Sequence, residues 1–239
     1  MRIAREGWRE IAVATVVLAG LAGLAGALVG LWLAAPVGLV WIWVLAFFRD
    51  PRRERQFGPQ DLCAPADGTV TEVAELERYP PIDGPAVRIG IFLSLLNVHV
   101  NRFPCSGRVT GQTYRKGEFL DARKPDSSTR NESNTLVIDP DPPLPGPVVV
   151  RQVAGLVARR IISHVRIGER CGIGGRFGMI KFGSRTELVV PRLAGTDIQV
   201  KVGEKVYGGV TVLVRQRLEG DAGMVGSTQR EPLAASVRR

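Results

Sequence analysis

Apolar and polar positions divide the chain into three stretches of different rhythm. Between Ile11 and Phe48 no charged residue occurs, and Gly and Ala crowd the first part, Ala19-Gly20-Leu21-Ala22-Gly23-Leu24-Ala25-Gly26-Ala27. Such a run exceeds the roughly 20 residues that one helix needs to cross a bilayer, and small residues let membrane helices pack closely. Pro36 divides it, so the pattern predicts a helix over about 11–34 and a shorter one over about 37–48. After Asp50-Pro51 the rhythm shifts to short apolar runs broken by Gly, Pro and Asp, several of them alternating with period two. That period predicts half-buried strands at Thr69–Ala74, Val87–Leu93, Val98–Phe103, Gly107–Tyr114, Thr135–Ile138, Val148–Val153, Arg160–Ile167, Gly178–Phe182, Glu187–Val190, Asp197–Val200 and Thr211–Arg217. Asp139 to Pro147 reads as a stiff surface connector and Asp121 to Asn134 as a mobile polar loop. Beyond Leu218 the chain turns small and polar with scattered Arg, as in a disordered basic tail. The expected organisation is therefore a helical membrane anchor over 1–50, a β-rich domain over 51–217 and a tail over 218–239.

An internal echo refines the fold class. Ile167-Gly168-Glu169-Arg170-Cys171-Gly172-Ile173-Gly174-Gly175 is matched by Val202-Gly203-Glu204-Lys205-Val206-Tyr207-Gly208-Gly209-Val210. The pattern resembles the hairpins of lipoyl- and biotinyl-type barrel-sandwich domains, and with weak helical periodicity outside the anchor it predicts a mainly antiparallel β fold of barrel or sandwich type. Gly172, Gly174 and Gly175 imitate a dinucleotide loop, but the third glycine position falls on Phe177 and no βαβ pattern surrounds it.

Charge narrows the partners. The formal net charge is +9, which points to an acidic partner; without an aromatic-interleaved basic stripe, an anionic membrane surface fits better than nucleic acid. Arg2, Arg5 and Arg9 precede the apolar run and Arg49, Arg52, Arg53 and Arg55 follow it, which favours a hairpin with both ends on the cytoplasmic face of the cell membrane. The run is too long for a cleaved signal peptide and lacks a convincing A-x-A cleavage site. Cys63, Cys105 and Cys171 are scattered, without C-x-x-C spacing; they predict small buried hydrophobes in a reducing compartment, with no disulfide framework and no metal site. The sequon Asn131-Glu132-Ser133 is assigned no role.

One dipeptide carries candidate chemistry. Gly183-Ser184 interrupts a strand pattern in Arg176-Phe177-Gly178-Met179-Ile180-Lys181-Phe182-Gly183-Ser184-Arg185-Thr186-Glu187. A hydroxyl placed directly after a glycine can attack that glycine's carbonyl, because no Cβ blocks the approach and glycine tolerates strained dihedrals. Taken alone, such a pair reads as a β-bulge. The chain has two histidines. Alternation places His99 on one face with Asn101, whereas His164 shares a solvent-facing side with Arg160 and Arg166. By local chemistry Asp67, in Pro65-Ala66-Asp67-Gly68, is a turn residue.

Four segments in order resemble the short, prokaryotic form of the phosphatidylserine decarboxylase proenzymes. They are Phe48-Arg49-Asp50-Pro51-Arg52, Ala64-Pro65-Ala66-Asp67-Gly68, Asn97-Val98-His99-Val100-Asn101-Arg102 and Lys181-Phe182-Gly183-Ser184-Arg185-Thr186, with Tyr114 to Ala122 and Asn131-Glu132 as a weaker match. The resemblance implies a pyruvoyl-dependent lyase that cleaves itself between Gly183 and Ser184. It implies Ser184 as nucleophile and precursor of the covalent pyruvoyl cofactor, His99 as base and later acid, and Asp67 as the carboxylate orienting it, with backbone N–H groups near 183–185 as oxyanion donors. Fragments 1–183 and 184–239 would remain together as a heterodimer, open to higher assembly. The ketone would take the serine amine of a membrane phospholipid as a Schiff base and release CO₂, leaving phosphatidylethanolamine. Longer members carry a second histidine where this chain has Arg102, which cannot act as a base near neutral pH. Either His99 serves both self-cleavage and turnover or another group covers one step; Arg102, with Asn101, is expected to meet the substrate's phosphate or carboxylate. A related serine ether lipid would need the same chemistry, and a non-enzymatic membrane-anchored adaptor would share the anchor and hairpins but not Gly183-Ser184 with His99 and Asp67.

Overall fold

The uncharged N-terminal run folds as two helices, α1 (Trp8–Leu28) and α2 (Ala34–Phe47), in a computed structural model that describes residues 2–28, 30, 32, 34–124, 126–156, 160–181 and 183–217. Phe182 and the tail expected over 218–239 lie outside the described residues. Pro36 falls in the first turn of α2 rather than between the helices, a position where its missing N–H is not needed. The segment Arg5–Leu28 is long and apolar enough to cross a membrane. The helices pair as a hairpin, with the Trp41 indole N–H donating to Thr15 Oγ1 at 2.9 Å. Strand β1 (Arg2–Ile3) pairs antiparallel with β2 (Arg49–Asp50) and closes the base of that hairpin. There Ala4, Ile11, Phe47 and Phe48 pack with Val98, Val100 and Met179 in one small core.

Beyond the hairpin the regular structure is mainly strand, as the period-two pattern predicts. In chain order these are β3 (Asp61–Cys63), β4 (Gly68–Tyr79), β5 (Gly84–Leu93), β6 (Val100–Arg102), β7 (Gly107–Arg115), then helix α3 (Ser127–Arg130), β8 (Ser133–Pro140), β9 (Val148–Val153), β10 (Arg160–Ser163), β11 (Arg170–Cys171), β12 (Arg176–Lys181), β13 (Ser184–Pro191), β14 (Thr196–Ile198), β15 (Lys205–Val206) and β16 (Val212–Gln216). Eight of them form one curled antiparallel half-barrel in the order β11-β7-β8-β9-β13-β5-β4-β15, and two three-stranded sheets, β10-β12-β6 and β14-β16-β3, complete the fold. The main core lies inside the curl, with Ile89, Ile91, Leu136, Val150 and Leu188 at its centre.

The repeated glycine hairpins close the curl. Each supplies one edge strand of the large sheet, β11 or β15. Their glycines adopt matching left-handed conformations: φ is +89° and +94° at Gly168 and Gly203, and +75° and +68° at Gly174 and Gly209. Gly174 and Gly209 meet backbone to backbone, so an added Cβ on Gly174 would lie 3.8 Å from the Gly209 Cα.

Two expectations change. The strand expected over Arg160–Ile167 stops at Ser163, since the chain must turn toward Gly168. The loop expected to be mobile over Asp121 to Asn134 is organised instead: α3 falls within it, and Ser127, Ser128 and Asn131 are buried. Asn131 bonds both the N–H (2.9 Å) and the C=O (2.8 Å) of Leu120 and donates to the Ala154 carbonyl at 2.8 Å. All three cysteines are free and buried, and burial pushes the Cys63 thiol up to about 12.

Candidate active site

The Gly183–Ser184 bond is the place where the chain passes from one sheet to another. β12, ending at Lys181, belongs to the small sheet with β10 and β6; β13, starting at Ser184, is inserted between β9 and β5 of the large one. Such a crossing needs an abrupt backbone turn, and Gly183 supplies it with φ of +48°, a conformation that L side chains rarely adopt. Opposite it lies Gly155, where an added Cβ would stand 2.0 Å from the Gly183 carbonyl oxygen. The bond is thus exposed to close approach on one face by the absence of a side chain at 183 and seated on the other by the absence of one at 155.

Ser184 is fully buried and paired with Leu93 of β5, and its Oγ has no hydrogen-bond partner. His99 is equally buried. Its Nδ1 lies 3.0 Å from the Asn97 carbonyl, which requires the proton on Nδ1 and leaves Nε2 as a lone pair. That Nε2 also lacks a partner. Buried polar atoms are nearly always satisfied, and among the described residues only five side-chain atoms break this rule, of which these are two. One bond relates them: Asn101 Nδ2 donates to Thr186 Oγ1 at 3.1 Å. Two residues back along the chain from Asn101 is His99, whose carbonyl accepts the Ile180 N–H just before β12 ends, and two back from Thr186 is Ser184.

Packing sets the protonation of the imidazole. The Phe47 ring lies against it, centroids 4.3 Å apart. Burial, with the Arg49 charge adding to it and the Asn97 bond opposing, pulls His99 down to about 4. At neutral pH the ring is therefore an uncharged acceptor.

β13 is held from its other face. Alternation sends Arg185 and Glu187 opposite to Ser184; Arg185 Nε donates to Glu187 Oε1 at 2.8 Å, and its guanidinium also pairs with Glu72. Arg88 joins Glu72 at 2.6 Å, so a charged network, buried at Arg185 and Glu187 and half-buried at Glu72 and Arg88, fixes the strand that presents Ser184. The alternation of Arg185-Thr186-Glu187 inside an apolar strand is the sequence signal for it.

The other expected site residues are each hydrogen-bonded within the protein. Asp67 Oδ1 accepts the Gly208 N–H at 2.8 Å and its Oδ2 accepts Arg53 Nη2 at 2.7 Å, while the His99 Nδ1 lies at 3.0 Å from the Asn97 carbonyl. Arg102 is buried and bonds Asp50 (2.7 Å) and the carbonyls of Pro51 and Gly174 (each 3.0 Å). Asn101 is fully buried and bridges Thr186 and Gln152. His164 is exposed, as the alternation predicts, and pairs with Glu6. No cluster of three or more metal-ligating side chains occurs among the described residues.

Replacing Gly155 by Ala is expected to slow any reaction at the Gly183 carbonyl by about a hundredfold, the usual cost of displacing a reacting atom by about an ångström. Timed electrophoresis of freshly synthesised protein reads this directly; wild-type conversion into two fragments would remove Gly155 from the account.

The family model described as phosphatidylserine decarboxylase matches residues 41–214. Among curated proteins, the phosphatidylserine decarboxylase proenzyme of Carboxydothermus hydrogenoformans is 43% identical over 212 residues, covering 88% of this chain and 95% of the relative. Its namesake in Rhodopirellula baltica is 44% identical over 214 residues, 88% of this chain and 87% of the relative. That of Burkholderia ambifaria is 42% identical over 212 residues, covering 88% and 94%.

Proposed function

Because this chain belongs to the phosphatidylserine decarboxylase family, a family of carboxy-lyases, we propose that it cuts itself between Gly183 and Ser184 and then decarboxylates phosphatidylserine to phosphatidylethanolamine. The observation that supports the reading is the pair of unpartnered buried atoms, Ser184 Oγ and His99 Nε2, each two residues before a member of the Asn101–Thr186 hydrogen bond, with Ser184 following a glycine at positive φ.

The steps follow from the groups present. His99 Nε2 takes the Ser184 hydroxyl proton while Oγ attacks the Gly183 carbonyl carbon, seated against Gly155. The peptide C–N bond breaks, the proton passes to the Ser184 nitrogen, and an ester links Gly183 to the Ser184 side chain. Loss of the Ser184 α-proton with cleavage of the Cβ–O bond frees the Gly183 carboxylate and leaves a dehydroalanine. Water converts that to a terminal pyruvoyl group with release of ammonia. Backbone N–H groups near 183–185 are the candidate donors to the developing oxyanion.

Ser184 fits as the precursor of that group, since it is buried, unbonded and at the start of a fragment that β5 and β9 hold in place on both sides. A pyruvoyl group supplies a ketone that accepts the electrons left by departing CO₂. His99 then returns a proton to the substrate carbon, one imidazole serving both stages because Arg102 is committed to Asp50. Asp67 acts at one remove, pinning Arg53 and the Gly208 turn beside the Asp50–Arg102 pair. Helices α1 and α2 hold the enzyme on the cytoplasmic face of the cell membrane, where its phospholipid resides, and fragments 1–183 and 184–239 stay together through the shared large sheet.

Purified protein should run as two fragments on denaturing gels, the smaller refractory to Edman degradation because it lacks an α-amine. Mass spectrometry should find phosphatidylethanolamine formed from phosphatidylserine. A single unbroken, sequenceable chain would sink the proposal.

A further inference from the structure

Two loops flank the Gly183–Ser184 bond, and both expose leucine. Leu93, the strand partner of Ser184, leads directly into Ser94-Leu95-Leu96-Asn97. That loop closes on itself: Asn97 Oδ1 accepts from the Ser94 N–H at 2.9 Å and from its hydroxyl at 2.7 Å, and the Asn97 N–H donates to the Ser94 carbonyl at 3.0 Å. The turn's polar groups are thereby satisfied internally, and Leu95 and Leu96 stand out at 42% and 71% exposure. On the other side of the bond Leu156, immediately after Gly155, is 63% exposed. Single exposed leucines need no account, but three bordering one buried site do.

Continuity says what covers them. Arg49 Nη2 donates to the Leu96 carbonyl at 2.6 Å and Nη1 to the Ala46 carbonyl at 2.7 Å, riveting the loop to the end of α2. Beyond that rivet α1 and α2 expose Leu24, Leu28, Leu39 and Ile42, the surface already assigned to the bilayer. The loop is equally tied to the chemistry, since the Asn97 carbonyl that ends it holds the His99 ring.

We propose that Leu95, Leu96 and Leu156 form a docking rim that seats the mouth of the site in the apolar layer of a phospholipid bilayer, so that a lipid can present its head group to Ser184 while its acyl chains stay in the membrane. The inference rests on the decarboxylase reading above and adds the surface through which substrate arrives. α1 and α2 tether the protein; the rim orients it.

The test uses the full-length enzyme with Leu95→Glu plus Leu96→Glu, and separately Leu156→Glu. Self-cleavage into two fragments should persist. Decarboxylation of phosphatidylserine in mixed phosphatidylcholine vesicles should fall at least about tenfold through a higher apparent KM for bulk lipid. Turnover of a short-chain phosphatidylserine dispersed as monomers should stay within about twofold of wild type. Unchanged vesicle rates overturn the proposal, as do equal losses on both substrates, which would make the leucines part of the site itself. A change in oligomeric state by light scattering with vesicle rates retained would assign the rim to a second copy of the chain and also overturn it. If the glutamates block cleavage, Leu95→Gln plus Leu96→Gln gives the same comparison without charge. Failure of the wild type on both substrates would count against the decarboxylase reading instead, not against the rim.

Discussion

The Ser184→Ala protein is expected to remain one chain of 239 residues and to lose decarboxylase activity by at least about a thousandfold, to background. The expectation is sharp because nothing else changes with the hydroxyl. Ser184 Oγ accepts and donates no hydrogen bond, so its removal leaves no stranded partner, and Ala fits where Ser did. Backbone pairing to Leu93 is untouched. Stability should therefore stay within about 1 kcal/mol of wild type, the range of a mild substitution. Denaturing electrophoresis and lipid analysis read the two halves of the prediction independently. An uncleaved variant that still makes phosphatidylethanolamine would separate decarboxylation from self-cleavage and end the pyruvoyl account; a cleaved one would move the nucleophile elsewhere.

What could be read in the residues beforehand follows a physical division. Local periodicity carries the strands: Val148–Val153 has the boundaries its pattern predicts, and β5, β7 and β13 differ from theirs by residues at the ends only. The paired glycine hairpins were visible because a left-handed turn constrains composition at fixed offsets, as Gly168 and Gly203 illustrate. The partners of the charged groups were not legible, because topology and not spacing decides them. Asp67 meets Arg53 and Gly208, the latter 141 positions away; Lys181 meets Glu10 across 171. The group holding His99 was invisible for a further reason: it is the carbonyl of Asn97, and a backbone acceptor leaves no trace in residue type. The short strand Asp61–Cys63 escaped because three residues carry no period. Gly155 could not be singled out either, since only the fold shows that it backs onto Gly183.

His99→Gln should slow self-cleavage by about 10²- to 10⁴-fold, the usual contribution of a positioned general base, and it should remove a pH dependence whose sign the structure sets. Burial against Phe47 lowers the imidazole to about 4 from an ordinary 6.5. The lone pair on Nε2 is thus available throughout the neutral range. Self-cleavage of wild type is expected to be flat from about pH 6 to 8 and to drop about tenfold per unit below about 4, where the ring protonates. Stability follows the same group. Between 4 and 6.5 the unfolded chain binds the proton that the folded one refuses, so this contribution is complete above 6.5 and is lost as the pH falls through that window to 4. The shift amounts to about 3 kcal/mol, at about 1.4 kcal/mol per unit. Phe47→Ala admits water to the ring and should carry the midpoint of self-cleavage up toward 6.5 without removing the base, which distinguishes a catalytic imidazole from one that merely fills space. Rates from rapid dilution of denatured precursor into buffers from about pH 3 to about pH 8 provide the measurement. A wild-type midpoint that does not move in the Phe47 variant, or a His99→Gln chain that cleaves at the wild-type rate, would assign the proton transfer to another group.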